Sequence, residues 1–154
     1  MFNQYDYFEG IKAQLPQELT DIHRITGLRE LEETLENIRN LPEYVFLAED
    51  DDDGYLSFTQ GNFDNGFRTF HIVGRVKVND SADRVRVQKN CMAMALRVFK
   101  KMMADAHNFG DSCYGFDRSR IDYRRLGPVV NNYYGYSFSY VMRDENFKLE
   151  VNGG

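Results

Sequence analysis

The sequence predicts an α+β fold in one domain over residues 1–154. The expected parts are a mostly antiparallel sheet of four to five strands, a long amphipathic helix packed on one of its faces, and a helical N-terminal region. Three observations carry this. Asp80–His107 is a long segment with an unambiguous helical period. Phe67–Val78 and Tyr133–Met142 alternate large and small or polar residues with the period of a strand. The coarse order is helix, helix, three strands, long helix, two strands, with no internal repeat and no low-complexity linker. Residues 1–40 form the helical N-terminal region, and residues 43–151 form the sheet and long helix.

Taken in order, Tyr7, Phe8, Ile11 and Leu15 recur at helical spacing before Pro16, and Leu19, Ile22 and Ile25 continue that pattern weakly to Gly27. A second helix runs from Leu28 to about Arg39, with Leu28, Leu31, Leu35 and Ile38 as its apolar stripe and Glu30, Glu32, Glu33 and Glu36 outside. Leu41-Pro42 stops it. Short strands are expected at Glu43–Ala48 and Tyr55–Thr59, joined by an acidic turn. In Phe67–Val78, Phe70, Ile72, Val76 and Val78 share one face and Thr69, His71, Arg75 and Lys77 the other. Gly74 interrupts the run as a bulge or close approach would.

The long helix opens with Asp80 or Ser81 as cap and Asp83 against the helix dipole. Its apolar arc, which includes Met92, Leu96, Phe99 and Met103, spans more than half the circumference and calls for a sheet to cover it. After it, Ser119–Leu126 reads as a strand that Gly127-Pro128 ends. Asn131-Asn132 reads as a turn. In Tyr133–Met142 the bulky Tyr134, Tyr136, Phe138, Tyr140 and Met142 line one face, and Gly135, Ser137 and Ser139 the other. Such a strand packs its large side and leaves room for close approach on its small side. Glu145–Val151 reads as a last short strand.

The chain has ten Tyr, twelve Phe and no Trp, a composition suited to strands and contact surfaces. No apolar run nears the ~20 residues of a membrane span, and the N-terminus lacks a basic flank with an apolar signal core, so a soluble cytoplasmic protein is expected. Two cysteines, Cys91 in the helix and the better-exposed Cys113 after it, read as reduced thiols. The net charge of −5 divides unevenly: residues 1–66 sum to −11 and residues 67–154 to +6. Halves of opposite sign attract each other within a fold or between neighbouring copies. The overall acidity argues against a general nucleic-acid binder.

Catalytic constellations are weak. His23, His71 and His107 stand apart in sequence, and no glycine-rich phosphate loop precedes a helix. His71, Asp122 and Tyr123 are the only acid–base candidates. Aligned on Gly54, Glu49, Asp51 and Asp53 take the first, third and fifth places of a calcium loop. The twelfth place is Gln60, which offers no bidentate carboxylate, so Glu49, Asp50, Asp51, Asp52 and Asp53 read as a solvated turn and no metal or cofactor is expected. Arg118, Arg120, Arg124 and Arg125, interleaved with Asp117 and Asp122, suit an interface, because arginine binds carboxylates bidentately.

The layout resembles the tail terminator and tail-completion proteins of long-tailed bacteriophages and prophages. The points of match are the helical N-terminus, the strand pair with its acidic turn and the strand Phe67–Val78. The helix Asp80–His107, the stretch Ile121-Asp122-Tyr123-Arg124-Arg125 and the final strand Tyr134-Gly135-Tyr136-Ser137-Phe138-Ser139-Tyr140 complete it. The segment Pro16–Asn40 is longer than in a compact terminator. The resemblance implies a virion-assembly protein without catalysis, found in the host cytoplasm during assembly and then in the virion. Such a protein caps the tail tube as a ring of identical copies, usually six, and meets neck proteins. Its expected interface residues here are Arg118, Arg120, Arg124, Arg125, Tyr134, Tyr136 and Tyr140, with Asp50–Asp53 opposite. A head–tail connector with the same core, or a module binding a small ligand or peptide, are the alternatives.

Overall fold

The computed structural model describes residues 2–50, 53–58, 61, 63–108 and 110–144. In chain order these form α1 (Gln4–Ile11), β1 (Ile22–Ile25), α2 (Leu28–Asn37), β2 (Tyr44–Glu49), β3 (Gly54–Ser57), β4 (Phe63–Arg75), α3 (Ser81–Ala104), β5 (Phe116–Val129) and β6 (Tyr133–Asp144). Among the described residues the sheet has six strands in the order β1-β2-β4-β6-β5, with β3 paired beside β4. Every pairing is antiparallel except that of β1 with β2. The fold is therefore mixed α and β with a mostly antiparallel sheet. No helix among the described residues is long and apolar enough to cross a membrane.

The strand count exceeds the expected four to five because part of the N-terminal region is not helical. Ile22 and Ile25 are three apart, a spacing shared by one helix face and by opposite faces of a strand. Here Ile22 pairs with Phe46 and faces the α3 side, while Ile25 pairs with Glu49 and faces the α2 side. Four residues are too few to set a period, and the open edge of β2 decides the outcome. The helices are not confined to one face either. α1 and α3 cover one side, whereas Leu31 and Leu35 of α2 pack on Val45, Leu47, Val73 and Tyr133 of the other.

The 24-residue α3 is capped by Asp80, whose Oδ1 accepts from the Asp83 amide at 2.9 Å. It buries Val87, Cys91, Met94, Ala95, Val98, Phe99 and Met102. The buried stripe is narrower than the apolar arc in the sequence, and Leu96 is 55 % exposed. Leu96, expected on the covered side, faces solvent because the helix is rotated so that the stripe is centred on Cys91, Ala95 and Val98. At Gly74 the sheet comes close to α3, since an added Cβ would meet Tyr44 Cε1 and Val87 Cγ1 at 2.6 Å.

The core beneath α3 is aromatic. Phe70 of β4 lies within 5.5 Å, ring centre to ring centre, of Phe8, Phe46, Phe99 and Phe138. Gln4 ties α1 to this layer: its Nε2 donates to the Thr69 and Glu49 carbonyls at 2.8 and 3.2 Å, and its Oε1 accepts from the Tyr140 hydroxyl at 2.7 Å. β5 does not stop at Gly127-Pro128 but runs to Val129 with a register shift, which an edge strand tolerates because a missing amide there breaks no ladder bond. The expected strand at Glu145–Val151 lies outside the described residues.

Phe99→Ala, which removes a ring from this layer, is expected to cost about 3–5 kcal/mol in denaturant unfolding. Leu96→Ala, on the solvent side of the same helix, is expected to stay within about 0.5 kcal/mol of the parent.

Candidate functional site

The face of the sheet opposite α3 is only partly covered, because α2 is short. Period-two alternation places Leu47 and Glu49 of β2, Thr69 and His71 of β4, Ser137 and Ser139 of β6, and Asp122 and Arg124 of β5 on that face. The register brings them together: His71 lies opposite Ser137, Ser137 opposite Arg124, and Ser139 opposite both Thr69 and Asp122.

His71 is 1 % exposed, so its ring nitrogens need protein partners. Nε2 is 2.6 Å from Glu49 Oε2, and Nδ1 is 2.6 Å from Ser137 Oγ. A carboxylate only accepts, so Nε2 carries the proton and donates to Glu49; in the neutral ring Nδ1 then accepts from the Ser137 hydroxyl. The result is a continuous chain from serine to histidine to glutamate across three neighbouring strands. Beside it, the Thr69 and Ser139 hydroxyls are hydrogen-bonded at 2.9 Å.

This polar strip is the floor of a trough. One cavity of about 590 Å³ is lined by Glu49, His71, Ser137, Tyr123, Arg124 and Leu126, among others. A second, of about 670 Å³, continues toward Asp53, Tyr55, Phe67 and Val141, and the two share Glu49, Thr69, Asp122 and Ser139. β5 makes the outer wall. Between Asp117, opposite Val141, and Asp122, opposite Ser139, it carries more residues than β6, so residues 118–121 bulge from the ladder. In the bulge Ser119 donates from its hydroxyl and amide to Asp117 and holds that carboxyl below its ordinary range, while Arg120 donates to Asp122 at 2.9 Å.

The residues expected at an interface divide accordingly. Arg118, Arg120, Arg124 and Arg125 are all exposed along the edge strand β5. Tyr134 and Tyr136 are half-buried on the α3 side. Tyr140, expected at the interface, is instead buried: at 2 % exposure it packs against Phe99 and Phe116, with its hydroxyl on Gln4, so its ring serves the core and not a contact surface. Asp50 is half-buried and paired with Arg24 at 2.7 Å. Asp53 is exposed and lines the trough, while Asp51 and Asp52 lie outside the described residues. Among the described residues no group of three or more His, Cys, Asp or Glu could hold a metal ion.

Of the weak acid–base candidates, His71, Asp122 and Tyr123 do line one cavity, although the Tyr123 ring leans on Tyr136 at 5.7 Å. Glu49 and Ser137 were missed as partners of His71. The small-residue face of β6 was the available signal, but only the strand register identifies what stands opposite it. No family model matches the chain, and no curated protein matches it.

The thiols are not nucleophiles near neutral pH. Cys113, expected to be better exposed, is fully buried beneath Tyr7 and Asp105. Burial raises it to about 11 and raises Cys91 to about 12. The folded state keeps both protonated after an unfolded chain has ionised them. Their contribution to stability is therefore full below pH about 8.5 and is lost progressively as pH rises toward about 11 and 12. Replacing both by Ala or Val is expected to flatten the fall in unfolding free energy between neutral and alkaline pH, and Ellman's reagent should react with the native protein far more slowly than with the unfolded one.

Proposed function

We propose that the chain is a virion-assembly protein of the tail-terminator type, which associates side by side into a ring that caps a tail tube and meets the neck. The observation that carries this is the placement of charge on the two edges of one sheet. At the β5 edge Arg118, Arg124 and Arg125 are exposed and make no ion pair among the described residues. Beside β1, at the other edge, Asp21, Glu30 and Glu33 line an open cleft with His23, and Glu32 and Glu36 are exposed on the same helix. Opposite charge on opposite edges favours head-to-tail contacts, which are heterologous and close into a ring at one rotation. The resemblance of the sequence layout supplies the biological setting: a host cytoplasm during assembly, then a virion.

Rim charges of this kind set orientation and encounter rate more than affinity. Apolar anchors supply the rest, and Tyr123, Tyr55, Leu56 and Phe58 are each exposed by half or more. The trough favours a second reading, a module that binds an extended peptide, which would act as a monomer.

Sedimentation across protein concentration distinguishes them. Self-association is expected, weakened by the double charge reversal Arg124→Glu with Arg125→Glu, most strongly at low salt where screening is slight. Reversal of Glu30 and Glu33 to Arg in the same chain should restore it. A protein that stays monomeric with and without a tail-tube partner contradicts the ring.

A further inference from the structure

We propose that Ser137, His71 and Glu49 form a nucleophilic site that accepts small acyl esters, an activity separate from assembly. Each part of the requirement is a distance or a placement. The base lies 2.6 Å from the hydroxyl it would deprotonate, and the carboxylate lies 2.6 Å from the opposite ring nitrogen. The carboxylate fixes the tautomer that leaves Nδ1 free to take a proton. It also stabilises the imidazolium that results. Ser137 lines an open cavity of about 590 Å³, large enough for a small ester, and the largely buried His71 ring lies on the same cavity floor.

The surroundings suit the charge that develops. Arg124 lies opposite Ser137 in register and lines the same cavity, so the cavity in which an oxyanion would form carries a cation on its wall. Leu28, Ile121 and Leu126 on the cavity wall offer apolar surface to an acyl chain.

The reaction balances without a further reagent. Ser137 Oγ bonds to the acyl carbon as its proton passes to His71 Nδ1. The ester C–O bond breaks, and the alcohol leaves with that proton. Water then attacks the acyl-serine and gives its proton to His71 Nδ1; the acyl carbon–Oγ bond breaks, His71 returns that proton to Ser137 Oγ, and the acid leaves. Ser137 and His71 are the catalytic residues, and Glu49 is a positioning residue.

A fluorophosphonate probe tests the site, since it bonds to an activated serine and expels fluoride. Intact-mass measurement should show one adduct per chain, peptide mapping should place it on Ser137, and p-nitrophenyl acetate should be hydrolysed. Ser137→Ala, with an unchanged circular dichroism spectrum, should abolish both reactions; His71→Asn should slow labelling by about 10²-fold or more. His71 is faced by Glu49 from β2, Ser137 from β6, and Asp122 and Arg124 from β5 across the trough. In Glu49→Gln labelling of the folded protein should slow, and Glu49→Asp should restore part of the rate; a merely structural glutamate would lower the unfolding midpoint and leave the labelling rate of the folded protein unchanged. No adduct on a folded protein, or labelling that persists in Ser137→Ala, overturns the proposal and leaves the three residues a structural hydrogen-bonded chain.

Discussion

The pairing of β4 with β6 is the constraint on which the rest of this structure depends. It runs without a register shift from Asp64 opposite Asp144 to Arg75 opposite Tyr133. Because side chains alternate along both strands, this single register sorts the protein into two chemistries. Phe70, Ile72, Phe138, Tyr140 and Met142 go to one face and are sealed by α1 and α3. Thr69, His71, Ser137 and Ser139 go to the other. A slip of one residue would put His71 among the phenylalanines and Phe70 in the trough, so the register is specified by the cost of burying an unpartnered imidazole as much as by the gain from packing rings.

The trough and the charged edges follow from how little covers the second face. α2 packs on Val45, Leu47, Val73 and Tyr133, and Ser137, Ser139 and Thr69 remain under a cavity. β5 bulges at residues 118–121 and leaves its arginines on the outer edge. Among the described residues the outer edge of the 14-residue β5 is unpaired, and such an edge invites pairing with another chain. The charges of β5, and the Gly127-Pro128 step near its end, limit that pairing to partners of opposite charge. This selectivity is the physical content of the proposed assembly role.

Much of this was legible in the sequence because the relevant elements are long. Twelve alternating residues of β6 and more than six turns of α3 set their periods without ambiguity. The two-faced character of β6, bulky on one side and small on the other, was also visible, and it predicts both the packed side and the open one. Short elements were less legible. β1, four residues long, borrows its structure from β2, and its Ile22 and Ile25 fit two periods equally. The rotation of α3 was misjudged at Leu96 because an arc wider than the sheet can cover leaves some apolar residues outside. The site was the least legible part. Glu49, His71 and Ser137 are each unremarkable in isolation, separated by 22 and 66 positions, and only strand register makes them neighbours. Tyr140 shows the converse: a tyrosine that suits a surface by composition is drawn inside because Gln4 can satisfy its hydroxyl.

Native-state hydrogen exchange of the backbone amides measures the central pairing most directly. If the β4–β6 ladder organises the fold, the amides of residues 70–73 and 136–138 exchange only through global unfolding. Their protection should equal the unfolding free energy from denaturation, while β3 and the bulge at residues 118–121 open by local fluctuation at much lower cost. Exchange of the β6 amides at the rate of β3, with α3 remaining protected, would contradict the account and make the helix, not the strand pair, the element on which the structure rests.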